Sequence, residues 1–376
     1  MNYKALKDIA DITMGQSPES SSYNEDRDGL PFFQGNADFG DVYPEERVWC
    51  NAPKKIARAG DILISVRAPI GALNYAKEEC CIGRGLAAIS IKDEAKRTFV
   101  FRLLKAKNEE LNRKGTGSTF KAIGKNVLEE IMVPEVSESR QSECMVIMDS
   151  LETIMRDRKK ELSGLDTLIK ARFVELFGDP EKGTCKYSMR RLGDLAVKVS
   201  DGVHAKPMYT ETGYPFLSVV NINKGIVDFT DCKYVSEEAY QKMIKSTHPE
   251  KGDVLYTKVG ATYGIPAYVD TKREFCLYVS VCLIKPKHEE INSRFLAIQM
   301  AMPSIKHQAD ARIKGIGVPD LHLNQIKEFD VICPPRELQD GFVKFVKQVD
   351  KSKVAVQKAL DETQLLFDSL MQEYFG

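Results

Sequence analysis

Apolar residues follow two different periodicities along the chain, and each periodicity occurs twice. Short apolar runs that alternate with Gly, Pro, Asn and Asp fill residues 1–139 and again residues 179–336, which is typical of strands and loops in mixed α+β domains. Residues 140–178 and 337–376 instead place apolar residues three and four positions apart, as long helices do. The pattern therefore predicts two globular domains, each followed by a long helix.

Both predicted helices carry a narrow apolar seam. The seam residues of the first helix are Met148, Leu151, Met155, Leu162, Leu165 and Ile169. Those of the second helix are Phe342, Phe345, Val349, Val356, Leu366 and Leu370. Alternating spacings of three and four over about five heptads are typical of a coiled coil, and about 36 helical residues extend roughly 54 Å. A narrow seam needs a partner, so we expect an antiparallel coiled coil with one domain at each end; packing of each helix on its own domain is the alternative.

Matching segments show that the chain is an internal repeat. Residues 6–10 (LKDIA) correspond to 192–196 (LGDLA), and residues 59–63 (AGDIL) correspond to 251–255 (KGDVL). The matches keep their order while their offset drifts, which is expected from duplication followed by loop insertions. The two domains should therefore share one fold and be related by a pseudo-twofold axis.

Composition limits the possible functions without selecting one. The 376 residues include 54 Lys and Arg against 54 Asp and Glu, so any binding to nucleic acid must rest on local basic patches. The chain shows neither a signal-peptide pattern nor a run of 18 apolar residues, and we expect a cytoplasmic protein that does not bind membranes. The nine scattered cysteines are interpreted as reduced core residues; Cys80-Cys81 is either a redox pair or, as its apolar surroundings favour, part of a strand.

Motifs for catalysis, metals and nucleotides are missing from the sequence. Residues 117–126 have some likeness to a phosphate-binding loop, but the glycine spacing is wrong and Asn126 stands where Ser or Thr is required. The five histidines lie apart in sequence, and the acidic pairs are typical of solvated faces. We therefore predict no catalytic residue, no metal site and no cofactor in this chain.

Two basic, glycine-containing segments occupy matching places in the two copies. Residues 113–125 carry four positive charges and no negative one, and residues 306–317 are also net basic. Glycine lets the backbone approach a phosphate closely, and lysine and arginine neutralise it. A solvated surface loop is the alternative for either segment; the occurrence of a basic segment in both copies strengthens the phosphate-binding interpretation and leaves both open.

The order of these motifs, found twice, resembles the specificity subunits of type I restriction-modification systems. The resemblance covers essentially the whole chain and rests on residues 6–10, on Leu-Pro-Phe at 30–32, on Gly-Asp-Ile-Leu-Ile-Ser at 60–65 and on Gly-Ser-Thr at 117–119. The long helix then follows, and the series repeats. The second copy departs from this pattern because it lacks Ser-Thr after residues 314–317.

The resemblance implies a non-catalytic subunit that recognises DNA. Each globular domain would be a target recognition domain that reads one half of a bipartite double-stranded target. The paired helices would set the spacer and dock two methyltransferase subunits, which bring S-adenosylmethionine and methylate adenine, and a motor and nuclease subunit would join for cleavage. Two alternatives are a duplicated coiled-coil protein-interaction scaffold without DNA specificity and a fused enzyme with an unrecognised site.

Candidate DNA contacts divide into phosphate and base contacts. The phosphate candidates are Arg67, Lys114, Lys121, Lys125, Lys258 and Lys314. The base candidates, whose side chains carry suitable donors and acceptors, are Gln34, Asn36, Ser218, Asn221, His322 and Asn324.

Overall fold

The computed structural model describes residues 2–117, 121–313 and 317–375. The chain forms two compact units, of which the first contains residues 1–159 and 358–376 and the second contains residues 160–357. Each unit therefore combines one globular domain with part of both long helices. The boundaries expected from sequence, at 139, 178 and 336, lie near the ends of the two long helices and differ from the boundaries of these units. The four-part division stays a prediction.

The first globular domain alternates short strands with short helices. Its strands are β1 (Tyr3–Ala5), β2 (Ala10–Met14), β3 (Tyr23–Asn24), β4 (Leu30–Phe33), β5 (Trp49–Cys50), β6 (Ile56–Ala57), β7 (Ile62–Ser65), β8 (Leu73–Tyr75), β9 (Cys80–Ile82), β10 (Leu86–Ile91) and β11 (Met132–Pro134). Its helices are α1 (Leu6–Ile9), α2 (Arg97–Ala106), α3 (Asn108–Lys114) and α4 (Lys125–Glu129).

Two sheets organise this domain. A four-stranded antiparallel sheet has the order β2-β10-β7-β8, and a five-stranded sheet has the order β3-β5-β4-β9-β6, in which β4 and β9 are parallel. All four residues of β7 are buried, which explains the apolar run at residues 62–64, since a strand covered on both faces has no polar side. Strand β1 pairs with β11 and places Tyr3 opposite Pro134, just before the first long helix.

The second globular domain repeats this plan after α5 (Glu138–Phe177). Its strands are β12 (Met189–Arg191), β13 (Ala196–Asp201), β14 (Tyr214–Leu217), β15 (Lys233–Val235), β16 (Val254–Thr257), β17 (Pro266–Tyr268), β18 (Cys276–Leu277), β19 (Val281–Pro286) and β20 (Asp330–Ile332). Its helices are α6 (Glu237–Ile244), α7 (Ser293–Met300), α8 (Pro303–Asp310) and α9 (Leu323–Lys327), and α10 (Arg336–Phe375) follows.

Strand orders and a shared turn confirm the repeat. The sheet β13-β19-β16-β17 matches β2-β10-β7-β8, and the parallel pair β14 and β18 matches β4 and β9. In the turn after the central strand, Gly71 (φ 89°) donates its N–H to the Ser65 carbonyl at 2.9 Å, and Gly264 (φ 90°) donates to the Thr257 carbonyl at 2.8 Å. Both glycines adopt the left-handed region that side chains disfavour. The predicted α+β class with two pseudo-repeated domains is confirmed.

The long helices α5 and α10 pair antiparallel in each unit. In the first unit, Arg140 near the start of α5 forms an ion pair with Glu373 near the end of α10, at 3.6 Å. In the second unit, Phe173 near the end of α5 packs against Phe342 near the start of α10, with ring centroids 5.7 Å apart. The predicted antiparallel coiled coil is confirmed.

Burial of the seam corrects one predicted position. Met148, Leu151, Met155, Ile169, Phe342, Val349 and Val356 are buried, and Leu162, Leu165, Phe345 and Leu370 are half-buried. Leu366, however, is 50% exposed, while its neighbour Phe367 is 8% exposed. The prediction for Leu366 is wrong because two adjacent apolar residues compete for one seam position, and the helical repeat from Val356 through Leu360 selects Phe367.

All nine cysteines are free thiols, and none of them forms a disulfide. Cys80 and Cys81 belong to β9, which confirms the strand interpretation of this pair. Burial raises the pKa of the Cys80 thiol to about 12 and that of Cys81 to about 11. Because the thiolate is the reactive form, both side chains behave as small apolar core residues near neutral pH.

Two further searches cover the described ranges. Within them, no helix combines the length and apolarity that a bilayer crossing requires. In the same ranges, no group of three or more His, Cys, Asp and Glu side chains is placed to hold a metal ion.

Candidate nucleic-acid interface

The basic segment of the first domain lies against the end of strand β7. Thr116 and Ala122 exchange two backbone hydrogen bonds of 3.0 and 2.9 Å, and Ala122 also bridges to Arg67. The Ala68 N–H donates to the Lys121 carbonyl at 3.1 Å. These bonds bring the predicted phosphate contacts Arg67 and Lys121 together on an exposed surface.

Two other predicted phosphate contacts flank this segment. Lys114 ends α3 and pairs with Glu110 at 2.7 Å, while Lys125 begins α4 and pairs with Glu129 at 3.4 Å. Both lysine side chains are more than two-fifths exposed. Exposed pairs of this kind contribute little to stability, so either lysine can exchange its carboxylate for a phosphate at small cost.

The predicted base contacts of the first domain follow strand β4. Gln34 is exposed, and its side-chain amide donates to the Ser17 hydroxyl at 3.0 Å. Asn36 is half-buried and begins a short 3-10 helix, Asn36–Asp38. The Asp38 carboxylate accepts the Gln34 backbone N–H at 2.7 Å. The loops after β2 and β4 are therefore joined, with Gln34 at their outer surface.

Backbone hydrogen bonds define which positions correspond in the second domain. In the first domain, Val66 donates its N–H to the Gly85 carbonyl and accepts the Ile123 N–H, both at 2.9 Å. Arg67 is the next residue and points outward. These two bonds identify the residue that directly follows strand β7 and whose side chain faces the core.

Lys258 occupies the position of Val66 in the second domain. Its N–H donates to the Ser280 carbonyl at 3.0 Å, and its carbonyl accepts the Leu321 N–H at 2.9 Å. Val259, and not Lys258, therefore occupies the position of the exposed Arg67. Lys258 therefore faces inward, as Val66 does.

Burial also excludes Lys258 as a free phosphate contact. The residue is 4% exposed, and its ammonium Nζ lies 3.3 Å from Asp320 Oδ1 and 3.7 Å from Asp201 Oδ2. His204 Nε2 lies 3.6 Å from the same Asp201 oxygen. Burial raises the pKa of Asp201, while the charges of Lys258 and His204 oppose that rise. The prediction for Lys258 is corrected: its charge is already paired with carboxylates.

Asn221 is a second correction. The residue is 5% exposed, and its side-chain oxygen accepts the Ser218 backbone N–H at 3.1 Å. Its amide nitrogen donates to the Thr230 carbonyl at 3.5 Å. Asn221 thus closes its own turn, as short polar side chains often do, and does not face outward to read a base. Ser218 is half-buried at the start of that turn.

Two further predicted contacts of the second domain, His322 and Asn324, lie at the start of α9. His322 is exposed and precedes the helix, and its backbone N–H donates to Gln325 Oε1 at 2.8 Å. Asn324 is exposed on the first turn of α9. Lys314 lies outside the described residues. The segment is anchored by Leu321, which is fully buried.

A cleft of about 690 Å³ opens at this place in the second domain. Its lining consists of Asp201, His204, Lys258, Val259, Val279, Asp320, His322, Leu323 and Asn324. The sequence-based prediction missed Asp201, His204 and Asp320. An available signal was the alignment of residues 65–67 with 257–259, because it places a lysine opposite an apolar residue and so calls for nearby carboxylates.

Comparison with known proteins identifies the family. Residues 1–163 and 186–363 match the family model described as type I restriction modification DNA specificity domain. A Methanocaldococcus jannaschii protein named for the type I restriction enzyme MjaX specificity subunit is 42% identical over 151 residues, which are 40% of this chain and 36% of that relative. The match therefore spans about a third of that relative's length.

Two other similarities extend over nearly the whole chain. The type I restriction enzyme MjaIX specificity subunit of Methanocaldococcus jannaschii is 23% identical over 98% of this chain and 91% of that relative. A solved structure from a study of complex assembly and conformational transition in the type I R-M system covers 100% of this chain and 97% of its own, with a TM-score of 0.67 and 16% identity. That structure supports the fold. Because the family model matches most of its length, this chain belongs to the type I restriction modification DNA specificity family.

Proposed function

We propose that the chain is the non-catalytic DNA-recognition subunit of a type I restriction-modification enzyme. Each globular domain reads one half of a bipartite target, and the antiparallel helices set the spacer between the halves. The observation that carries this proposal is the repeated loop geometry: the Ala68 N–H donates to the Lys121 carbonyl at 3.1 Å, and the Gly260 N–H donates to the Pro319 carbonyl at 2.9 Å. One framework with different side chains suits two different half-sites.

Affinity and specificity are assigned to different residues. In the first domain, Arg67, Lys121 and Lys125 neutralise phosphates, which gives salt-dependent affinity with little sequence preference. Base contacts come from exposed polar side chains on the same loops, such as Gln34 and His322, because base edges present matching donors and acceptors. Net neutrality of the whole chain fits this division, since the positive charge is local.

The helices provide the docking surface for two methyltransferase subunits. Support comes from large apolar side chains that remain exposed on them: Val146 (65%) and Ile154 (43%) on α5, and Val354 (70%) and Leu365 (72%) on α10. Exposed apolar positions on a paired helix favour a further protein partner. The partner methyltransferase binds S-adenosylmethionine and methylates adenine, this chain binds no cofactor, and a motor and nuclease subunit joins for cleavage in the cytoplasm.

Selection from randomised duplexes tests the proposal directly. The chain, assembled with the methyltransferase subunits, is incubated with a random duplex pool, and bound DNA is sequenced over several rounds. We expect two short conserved blocks at a fixed separation, and no such blocks with the methyltransferase alone. An assembled complex that enriches no sequence would contradict the proposal and favour the duplicated protein-interaction scaffold.

A further inference from the structure

A cluster of three charged residues, of which Lys258 is buried and Asp201 nearly so, joins three segments of the second domain. Asp201 ends strand β13, Lys258 follows strand β16, and Asp320 lies shortly before α9. The Lys258 side chain is 5% exposed and Asp201 is 15% exposed, whereas Asp320 is 47% exposed. The lysine thus lies between an inner and an outer carboxylate, and the outer one faces the cleft.

The first domain has apolar residues at these three positions. Val66 corresponds to Lys258 by the backbone bonds described above. Ala122 corresponds to Asp320, because Ala122 bridges to Arg67 as Asp320 bridges to Val259. The first domain therefore packs the same segments together with uncharged side chains at these positions.

Strand pairing establishes the third correspondence. Met14 pairs with Ala87 in the first domain, and Asp201 pairs with Cys282 in the second. The next residues, Gly15 and Gly202, donate their N–H groups to the carbonyls of Leu86 and Val281, which are the first residues of β10 and β19. The apolar trio of Met14, Val66 and Ala122 is thus the counterpart of the charged trio.

Burying the charges of Lys258 and Asp201 is unfavourable if the charged trio serves stability alone. Removing ions from water costs free energy that their attraction only partly returns, and apolar replacements of similar volume are often neutral or stabilising. The first domain shows that such a replacement fits this junction. Costly charges retained at the floor of a cleft point to binding rather than to folding.

The rim of the cleft supplies complementary polar groups. His204 is 78% exposed, and His322 and Asn324 are exposed. An ionised carboxylate only accepts hydrogen bonds, whereas histidine nitrogens and an amide can donate. The cleft thus presents an acceptor, Asp320, beside several donors.

We propose that this cleft reads a G·C base pair of the half-site recognised by the second domain, with Asp320 accepting a hydrogen bond from the cytosine N4 amino group. Cytosine is favoured because its major-groove edge offers a donor, whereas adenine places the N7 acceptor beside its amino group and guanine offers acceptors only. The rim histidines donate to the paired guanine. Lys258 is a positioning residue that fixes the Asp320 carboxylate. This inference rests on the proposed function.

The first test is Asp320→Asn in the full chain, assembled with the methyltransferase subunits and selected against randomised duplexes. Asn keeps the size of the side chain but removes the charge. We expect the preference for cytosine at one position of one block to fall about 10- to 100-fold, while the other block and the spacer stay unchanged. Asp330→Asn is the matched control, because Asp330 is also half-exposed but pairs with Arg191 outside the cleft.

The second test separates recognition from folding. The triple variant D201M/K258V/D320A carries the apolar trio of the first domain, so we expect an unchanged or higher Tm together with loss of the same cytosine. Lys258→Met should relax that position as well, and Lys258→Arg should restore it. Rescue by another cation distinguishes positioning of Asp320 from simple packing.

The outcomes distinguish this proposal from the proposed function. If the wild-type complex selects two blocks and both D320N and the folded triple variant select the same two blocks, the assignment of the cleft is overturned while the proposed function stands. If the wild-type complex itself selects no blocks, the proposed function fails first. Loss of base preference at one position of one block, with the other positions unchanged, supports both the assignment of the cleft and the proposed function.

Discussion

The two units share a strand order but bury their cations in different places. In the first unit, Arg102 of α2 is 7% exposed and pairs with Asp149 and, at 3.0 Å, with Glu152 of α5. Among the described residues of the second unit, the buried cation is Lys258, which is 4% exposed and lines the cleft. The first charge therefore ties a domain to a long helix, whereas the second belongs to the surface proposed to read DNA. The shared backbone geometry therefore does not predict which positions carry a buried charged side chain.

The junction with the long helices differs as well. Gln141 and Gln339 are both buried, and each donates its side-chain amide to the carbonyl five residues earlier, at 2.9 and 2.7 Å. This correspondence places Cys144 at the position of Phe342. In the second unit Phe342 belongs to a cluster with Phe173, Phe177 and Phe295 whose ring centroids lie 5.1 to 6.0 Å apart. This aromatic packing is present in addition to an ion pair of Arg294 with Asp350 at 2.7 Å, which ties α7 to α10 as Arg102 ties α2 to α5.

The largest effect is expected from Phe342→Ala. Removing a fully buried ring that contacts four others should lower the free energy of unfolding of the second unit by about 4 kcal/mol. Cys144→Ala at the equivalent position should cost only about 1 kcal/mol, because a small side chain leaves a small cavity. Denaturant titration followed by circular dichroism measures both. Equal losses would show that the two junctions are not different in kind.

A smaller effect is expected from Phe367→Ala. Phe367 is 8% exposed and Leu366 is 50% exposed, so the phenylalanine variant should lose about 3 kcal/mol and Leu366→Ala less than about 1 kcal/mol. The same denaturant titration gives both values. A larger loss for Leu366→Ala would restore the seam position expected from sequence.

Arg102→Met should lower the free energy of unfolding of the first unit by about 2 kcal/mol. The loss is less than that of a fully buried pair because Asp149 and Glu152 regain water. Lys105→Met is the control: Lys105 also pairs with Glu152, at 3.4 Å, but is 57% exposed, and its loss should stay below about 0.5 kcal/mol. Similar losses for both variants would remove the special role of Arg102.

The double variant K121A/K125A should weaken binding to every duplex sequence. Loss of two phosphate contacts should make the slope of log affinity against log salt shallower by about 1.8. Lys182→Ala is the control, because Lys182 is 79% exposed outside the candidate interface. Pro319 occupies the position of Lys121 in the second unit, so Pro319→Ala should leave the slope unchanged. An unchanged slope for K121A/K125A would remove these lysines from the DNA surface.

The smallest expected effect is a pH dependence of the Arg102 contribution. Burial raises the pKa of Glu152, but hydrogen bonding and the charge of Arg102 lower it more, so the pKa lies below its ordinary value. Such a group contributes stability above its unfolded pKa of about 4.3, and this is lost as pH falls through the folded pKa. The difference in Tm between wild type and Arg102→Met should therefore shrink below about pH 4. A constant difference down to pH 3 would contradict this linkage.

The fold was predictable from the sequence because periodicity and motif order depend on local spacing. The long helices and their pairing follow from apolar spacings of three and four residues, and the repeat follows from short motifs that recur in the same order in both copies. Leu366 shows the limit of this approach, since adjacent apolar residues leave the helical face undecided by one position.

The candidate site was less predictable because burial depends on residues far apart in sequence. Lys258 is paired with Asp201 and Asp320, which lie 57 and 62 positions away, and only the fold brings them together. Asn221 was mistaken for a base contact because its residue type fits both a turn and a base edge. Exposed positions such as Gln34 and His322 stay predictions until DNA contacts are measured.

Sequencing of adenine methylation tests the central claim most directly. A host that expresses the methyltransferase with this chain is compared with the same host lacking only this chain. The account predicts methylation at one new motif made of two short blocks and a fixed spacer, present only with the chain. Unchanged methylation, with all subunits produced and assembled, would contradict the claim that this chain specifies the DNA target.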